Sequence, residues 1–214
     1  MNILTPNVNL DILKNERLET TLFICQTEET IVENFIFEDQ NCNNNEFYNL
    51  EIKHTKFVNC ELLDNKFEKC FFTDIIFENC DLSNKIFDNK LINRVVFKNC
   101  KMLGTSFINS SLKDVVIDNS MSKYINLSNS RIHNLLIKES NLSESTFMES
   151  DIKNIEFDNV DLTRAEFIKV NLSGVDFSNS DISSTIFDLN SLKGIIIDSL
   201  QSQSLVGMLG VKIK

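Results

Sequence analysis

Sampled at every fifth residue from Val32 to Ile197, the chain passes through 34 positions, and only Cys42 and Ser122 among them are not large apolar residues. Fourteen of the seventeen Phe fall in this single register. A helix of 3.6-residue period or a strand of period two cannot sustain such spacing. A five-residue unit with its central side chain turned inward can. The residue two places before each centre is often small, as at Cys60, Cys70, Cys80, Cys100, Thr105, Ser110, Ser130, Ser150, Ala165 and Ser180. Each pentad therefore reads as one large inward residue, one smaller inward residue and three outward ones.

A second period is laid over the first. "FVNCEL" from Phe57 returns as "FENCDL" from Phe77 and "FKNCKM" from Phe97, and weaker echoes follow from Ile117, Ile137, Phe157 and Phe177. Four pentads thus close one coil, and residues twenty apart stack at about 4.8 Å, the distance between hydrogen-bonded strands. The stacked columns are chemically coherent. Asn59, Asn79, Asn99, Asn119, Asn159 and Asn179 form a ladder broken only by Glu139, and Asn side chains can bond from rung to rung. Phe favours centres ending in 7, Leu and Ile those ending in 2, so two opposite faces supply rings and the other two aliphatics. One outward column is apolar: Ile76, Val96, Val116 and Leu136. It reads equally as a contact stripe or as β-formers packed along a flat face. With five Gly and one Pro, the turns fall to Asn, Asp and Ser, whose side chains bond local backbone.

This pattern resembles the pentapeptide-repeat family, whose consensus reads A-(D/N)-L-x-x. "CDLSN" (80–84), "SNLSE" (140–144), "VDLTR" (160–164), "AEFIK" (165–169), "VNLSG" (170–174) and "SDISS" (180–184) carry the resemblance, which covers about residues 30–197. It implies an all-β fold, a right-handed quadrilateral β-helix. The expected organisation is an N-terminal cap over 1–30, the β-helix over 31–197 and a C-terminal module over 198–214. In that last stretch a short amphipathic helix precedes a brief strand, "GVKIK". A helix followed by "LGVKI" is similar to the dimerisation module of the quinolone-resistance (Qnr) pentapeptide-repeat proteins. The implied homodimer interface is Leu200, Leu205, Met208, Leu209, Val211 and Ile213. The register leaves no clear room for a projecting loop, so the resemblance is to the loop-free chromosomal members, of the MfpA and Gram-positive type. "NSMSKYINL" around Ser122 and "DQNCNNNEF" around Cys42 are expected to distort only locally.

The remaining sequence narrows the function. The N-terminus lacks a basic region followed by an apolar run, and no stretch approaches the length of a membrane span, so a cytoplasmic protein with reduced thiols is expected. The net charge of −10 argues against direct contact with nucleic acid or anionic lipid and towards a basic partner surface. Cys60, Cys80 and Cys100 form a straight column, which suits small-residue packing better than tetrahedral metal ligation. His54 and His133 flank centres of one face four coils apart, roughly 19 Å at the rung spacing. No nucleophile elbow, phosphate loop or zinc-protease motif is present. Neither an enzyme, a cofactor nor a metal is expected.

The acidic charge is unevenly placed. Residues 139–198 hold twelve acidic and four basic side chains, against 19 and 15 in residues 1–138. Three coils span about 14 Å, or roughly one net negative charge per 1.8 Å, close to the ~1.7 Å of B-DNA. The resemblance implies a non-catalytic DNA mimic that binds DNA gyrase, and topoisomerase IV, and lowers quinolone susceptibility. Asp151, Glu156, Asp158, Asp161, Glu166, Asp176, Asp181 and Asp188 are the candidate contacts. Two alternatives stay open: an immunity or regulatory factor protecting gyrase from a peptide toxin, and an interaction solenoid with another partner.

Overall fold

A computed structural model describes residues 1–63 and 65–208. The chain winds into a parallel β-solenoid of about nine coils. Six eight-residue strands, each bending at a corner and so covering two adjacent faces, stack in register: Glu51–Val58, Phe71–Glu78, Leu91–Lys98, Ser111–Asp118, Arg131–Lys138 and Asp151–Asp158. Each pairs with the next in parallel at an offset of twenty residues, so that Ile52, Phe72, Ile92, Leu112, Ile132 and Ile152 are successive partners. The pentad centres fill the interior. From Val32 to Ile182 every one is buried except the half-buried Ile152. Phe57, Phe77 and Phe97 stack with centroids 4.8 and 5.3 Å apart, and Phe147–Phe167–Phe187 repeat this opposite, at 4.7 and 5.5 Å. Rings on opposite faces meet edge-on across the core, as in Phe157–Phe167 at 82°, the offset and edge geometries that aromatic quadrupoles favour.

The corners explain the scarcity of glycine. Asn59, Asn79, Asn99, Asn119 and Asn159, with Glu139 between the last two, all have φ between 47° and 55°. The same left-handed conformation recurs at every fifth residue from Glu29 to Asn59 and from Lys69 to Gly174. Asn enters this region at less strain than other residues with a Cβ, and here it does two things at once. Its backbone turns the corner while its amide bonds the next rung. Asn79 donates to Asn59 (3.1 Å), Asn99 to Asn79 (3.1 Å) and Asn119 to Asn99 (2.8 Å). Glu139 interrupts the ladder as expected: its carboxylate accepts from Asn159 at 2.6 Å but has no N–H to pass on to Asn119, and Asn179 donates to Asp158 instead. Corners persist at Asn44 and Tyr124, so neither Cys42 nor Ser122 marks an inserted loop; both are buried.

The small inward residues hold the rungs together from inside. Ser110, Ser130 and Ser150 each donate Oγ–H to the carbonyl of a centre residue in the preceding coil (Phe87, Phe107 and Leu127) at 2.6 Å. The same hydroxyls accept N–H groups from Lys90, Ser110 and Ser130. A buried hydroxyl is tolerated because it is paired. Cys60 plays the same part, its thiol donating to the Phe37 carbonyl at 3.3 Å.

Helix α1 (Leu18–Thr27) closes one end, burying Leu18, Leu22 and Cys25. At the other end the last coil loosens: Leu192 and Ile197 are half-buried, and Leu189, at a corner position, is 67% exposed. Helix α2 (Gln201–Met208) follows. Gln201 Nε2 donates to the Phe177 and Ser180 carbonyls at 2.8 and 2.7 Å, and Leu205 packs against the core.

Residues 1–9 run lengthwise over the stacked strands. Asn7 N–H donates to Asp74 Oδ1 (2.9 Å), Leu4 N–H to Asp114 Oδ1 (3.3 Å), and the α-amino group of Met1 meets Glu156 Oε2 (3.1 Å). The segment passes beside the outward apolar column, which is therefore not an open surface: Val116 is 8% exposed, and Ile76, Val96 and Leu136 are half-buried.

Candidate protein-interaction surface

The eight candidate acidic residues are distributed by their place in the pentad. Asp151 stands on the face centred at Ile152. Glu156, Asp158 and Asp176 flank Phe157 and Phe177 on the next face. Asp161 and Asp181 precede Leu162 and Ile182 on the third, and Glu166 and Asp188 flank Phe167 and Phe187 on the fourth. The eight do not form one patch. Five of them gather along the edge between the Phe157 and Leu162 faces, where Glu139 sits at the corner. Glu156, Asp158 and Asp176 line one depression of about 490 Å³. Glu139, Asp161 and Asp181 line its neighbour across the edge, about 350 Å³. Stretches 155–163 and 175–183, which form this edge, contain no Lys or Arg. Charge density alone misses Glu139; the signal for it is a carboxylate standing in the Asn column.

The carboxylates along the edge are fixed by the turns that carry them. Asp176 accepts from Ser178 N–H at 2.9 Å, Asp181 from Ser183 N–H at 2.8 Å and Asp161 from Thr163 N–H at 2.9 Å. The bonds from Ser178 and Ser183 hold Asp176 and Asp181 below the ordinary carboxylate range, so both stay charged while presenting their free oxygens outward. Asp158 accepts from Asn179 (2.7 Å) and Asp161 from Asn141 (2.8 Å). On the fourth face, Asp188 is tied to backbone N–H groups of Ser191, Lys169 and Asn190, which likewise lower it. The carboxylate of Glu156 lies against the Met1 amino group.

Of the expected dimer contacts, Leu200 is 76% exposed and Leu205 is engaged with its own core. Met208 ends α2, while Leu209, Val211, Ile213 and the expected terminal strand lie outside the described residues. The thiols lie inside: burial pushes Cys42 up to about 11 and raises Cys70. His54 is drawn into the N-terminal segment, its Nδ1 2.7 Å from the Asn7 carbonyl. No helix among the described residues is long and apolar enough to cross a membrane.

Two family models match the sequence, "Pentapeptide repeat region" over residues 70–147 and "Pentapeptide repeats (8 copies)" over 155–188, together a little over half of the chain. No curated protein matches. Among solved structures the chain is similar to a trypsin-treated variant of QnrB1, described as a plasmid-mediated fluoroquinolone resistance protein. The identity there is 20% over 86% of this chain and 99% of the other, with a TM-score of 0.47. Full-length QnrB1 gives 17% identity, 82% and 100% coverage and a TM-score of 0.43. HetL, a pentapeptide-repeat protein involved in heterocyst differentiation regulation from the cyanobacterium Nostoc, gives 13%, 79% and 90%, and 0.32. The register, the buried centres and the two family matches lead to one assignment: the chain belongs to the pentapeptide-repeat family.

Proposed function

We propose that the protein is a non-catalytic DNA mimic of the quinolone-resistance type, which binds DNA gyrase and topoisomerase IV on the surface that grips DNA and lowers quinolone susceptibility. The observation that carries this reading is the edge formed by Glu139, Glu156, Asp158, Asp161, Asp176 and Asp181, a run of carboxylates with no basic residue among 155–163 or 175–183. Turn-bound carboxylates on a straight rod are pre-positioned anions, as phosphates are on a duplex. A cationic groove would therefore meet them with little ordering of the protein side. Docking through 198–214 in a second copy, centred on Leu200, would set two such edges end to end. Binding driven this way weakens steeply with added salt.

The test is a gyrase supercoiling assay with a fluoroquinolone, titrated with the protein and with an Asp158→Asn/Asp161→Asn/Asp181→Asn variant. Restored supercoiling by the protein, lost in the variant at unchanged fold, supports the reading. Inhibition without protection leaves mimicry and removes resistance. No effect on gyrase or topoisomerase IV at any salt concentration refutes it.

A further inference from the structure

The N-terminal segment is bound to the solenoid as a ligand is bound to a site. Among the described residues its first eight make no backbone–backbone hydrogen bond. Its Leu4 and Asn7 amides and its α-amino group go instead to side chains. Asn7, Leu4 and Met1 are three residues apart, about 10 Å of extended chain. Their acceptors Asp74, Asp114 and Glu156 sit on alternate coils, also about 10 Å apart. Three residues of extended peptide therefore match two coils, and the match holds over all three stations.

The acceptors are held by their own column. Arg94 grips Asp74 through Nε at 2.6 Å and a terminal nitrogen at 2.7 Å. Asn134 donates to Asp114 at 2.7 Å, and Asn154 to Asn134 at 2.9 Å. Both aspartates are only 1% exposed, yet each keeps an oxygen aimed at the segment. Beside them runs the column Ile76, Val96, Val116 and Leu136, while Ile3, Pro6 and Val8 of the segment are half-buried and Leu4, Thr5 and Asn7 are exposed. Where the segment ends, so does the cover: Lys153 and Asn154 are exposed, and an open trough of about 700 Å³ lined by Asn134, Asn154 and Gly174 continues the line.

We propose that this column is a docking track for an extended peptide segment of a partner protein, and that residues 1–9 occupy it in cis as a displaceable strap. The segment it fits carries free backbone N–H groups three residues apart for Asp74 and Asp114, a cationic group three residues further on for Glu156, apolar side chains between these positions and no acidic residue facing the three carboxylates. The inference does not rest on the topoisomerase reading: Asp74 and Asp114 lie outside the acidic edge, and only Glu156 is shared between the two.

The test uses the full chain with one glycine inserted between Thr5 and Pro6, which moves Leu4 about one residue, ~3.3 Å, out of phase with Asp114. The probe is a fluorescein-labelled peptide of residues 1–9. In the unmodified chain the tethered strap competes at an effective concentration of order mM, so micromolar probe does not bind. In the insertion variant, hydrogen exchange at the Leu4 amide rises at least tenfold and the probe binds, read by anisotropy. A Leu4→Pro probe, which lacks the N–H, binds at least tenfold more weakly. A full chain carrying Leu4→Pro and Asn7→Pro serves as a second strap-released variant should the insertion disturb the solenoid's circular dichroism. A released strap without probe binding overturns the docking track. Continued protection of Leu4 overturns the three-to-two phase. Equal binding of the Leu4→Pro probe overturns recognition through amides.

Discussion

Asn99 offers the sharpest test of how the corners work, because its backbone and its side chain do separable jobs. Its φ is 54°, its amide donates to Asn79 at 3.1 Å and its carbonyl oxygen accepts from Asn119 at 2.8 Å. Replacement by Ala keeps a Cβ in a left-handed corner, a strain of roughly 1–2 kcal/mol, of which Asn already bears part. It also removes two exposed ladder bonds, each contributing about 0.5–1 kcal/mol. The expected loss is about 2–3 kcal/mol. Asn99→Gly removes the same bonds but relieves the corner, less the extra entropy of an unfolded glycine, ~0.5–1 kcal/mol. Its expected loss is about 1 kcal/mol. In urea denaturation, with a slope near 3 kcal/mol/M, the Ala variant shifts the midpoint down by roughly 0.7–1 M and the Gly variant by about 0.3 M. Equal shifts for Ala and Gly would refute the claim that the left-handed corner selects the residue. A negligible shift for Gly would refute any stabilisation by the ladder.

Gly104 is the converse case, with φ +65° and space for a Cβ only at 2.7 Å from Asn84 Oδ1. Gly104→Ala is expected to cost about 2 kcal/mol, checked by the same denaturation. Phe107→Ala opens a cavity between fully buried rings and should lower stability by about 3–5 kcal/mol in that measurement. Acid should unfold the protein partly through Asp74. Burial opposes its charge, but bonds from Arg94 and Asn7 outweigh burial and hold its pKa below the ordinary value. A lowered folded-state pKa means that the stabilisation is fully present above the unfolded carboxylate range, about pH 4–5, and is lost as pH falls through the folded value. Circular dichroism against pH should therefore show a shallower acid limb for Asp74→Asn than for the parent chain. The six Cys are all free and buried, so a thiol-specific reagent at pH 8 should label none in the native protein and all six in denaturant. Labelling of Cys60, Cys80 or Cys100 without unfolding would refute the closed interior.

The solenoid was legible in the sequence because each pentad spends one position on a large inward side chain, and burial punishes any slip of that register. The ladder was legible too, since identical residues at one column have neighbours of their own kind. The reason for Asn at the corners was not legible: five-residue spacing does not reveal which residue carries a positive φ. The acidic edge was visible only as charge per length of chain. Its division among four faces, with Asp151, Glu166 and Asp188 turned away from the main group, required the register to be read in three dimensions. Ile3, Pro6 and Val8 carry too little pattern to announce a bound segment. Its recognition runs through main-chain N–H groups, which every residue but proline has, and through Asp74 and Asp114, which in sequence look like any other outward polar residues.

The strapped face also constrains how such a chain can lengthen by duplication. A copied coil inserts twenty residues that repeat every core and corner position, so the barrel itself accepts it anywhere. Between Asp74 and Glu156, however, one added coil stretches the track by about 4.8 Å, one and a half residues of extended peptide. No whole-residue change in the segment compensates. Two coils added together require three more N-terminal residues. Beyond Glu156 growth is unconstrained, so new coils there change the rod's length and its acidic edge without disturbing the strap.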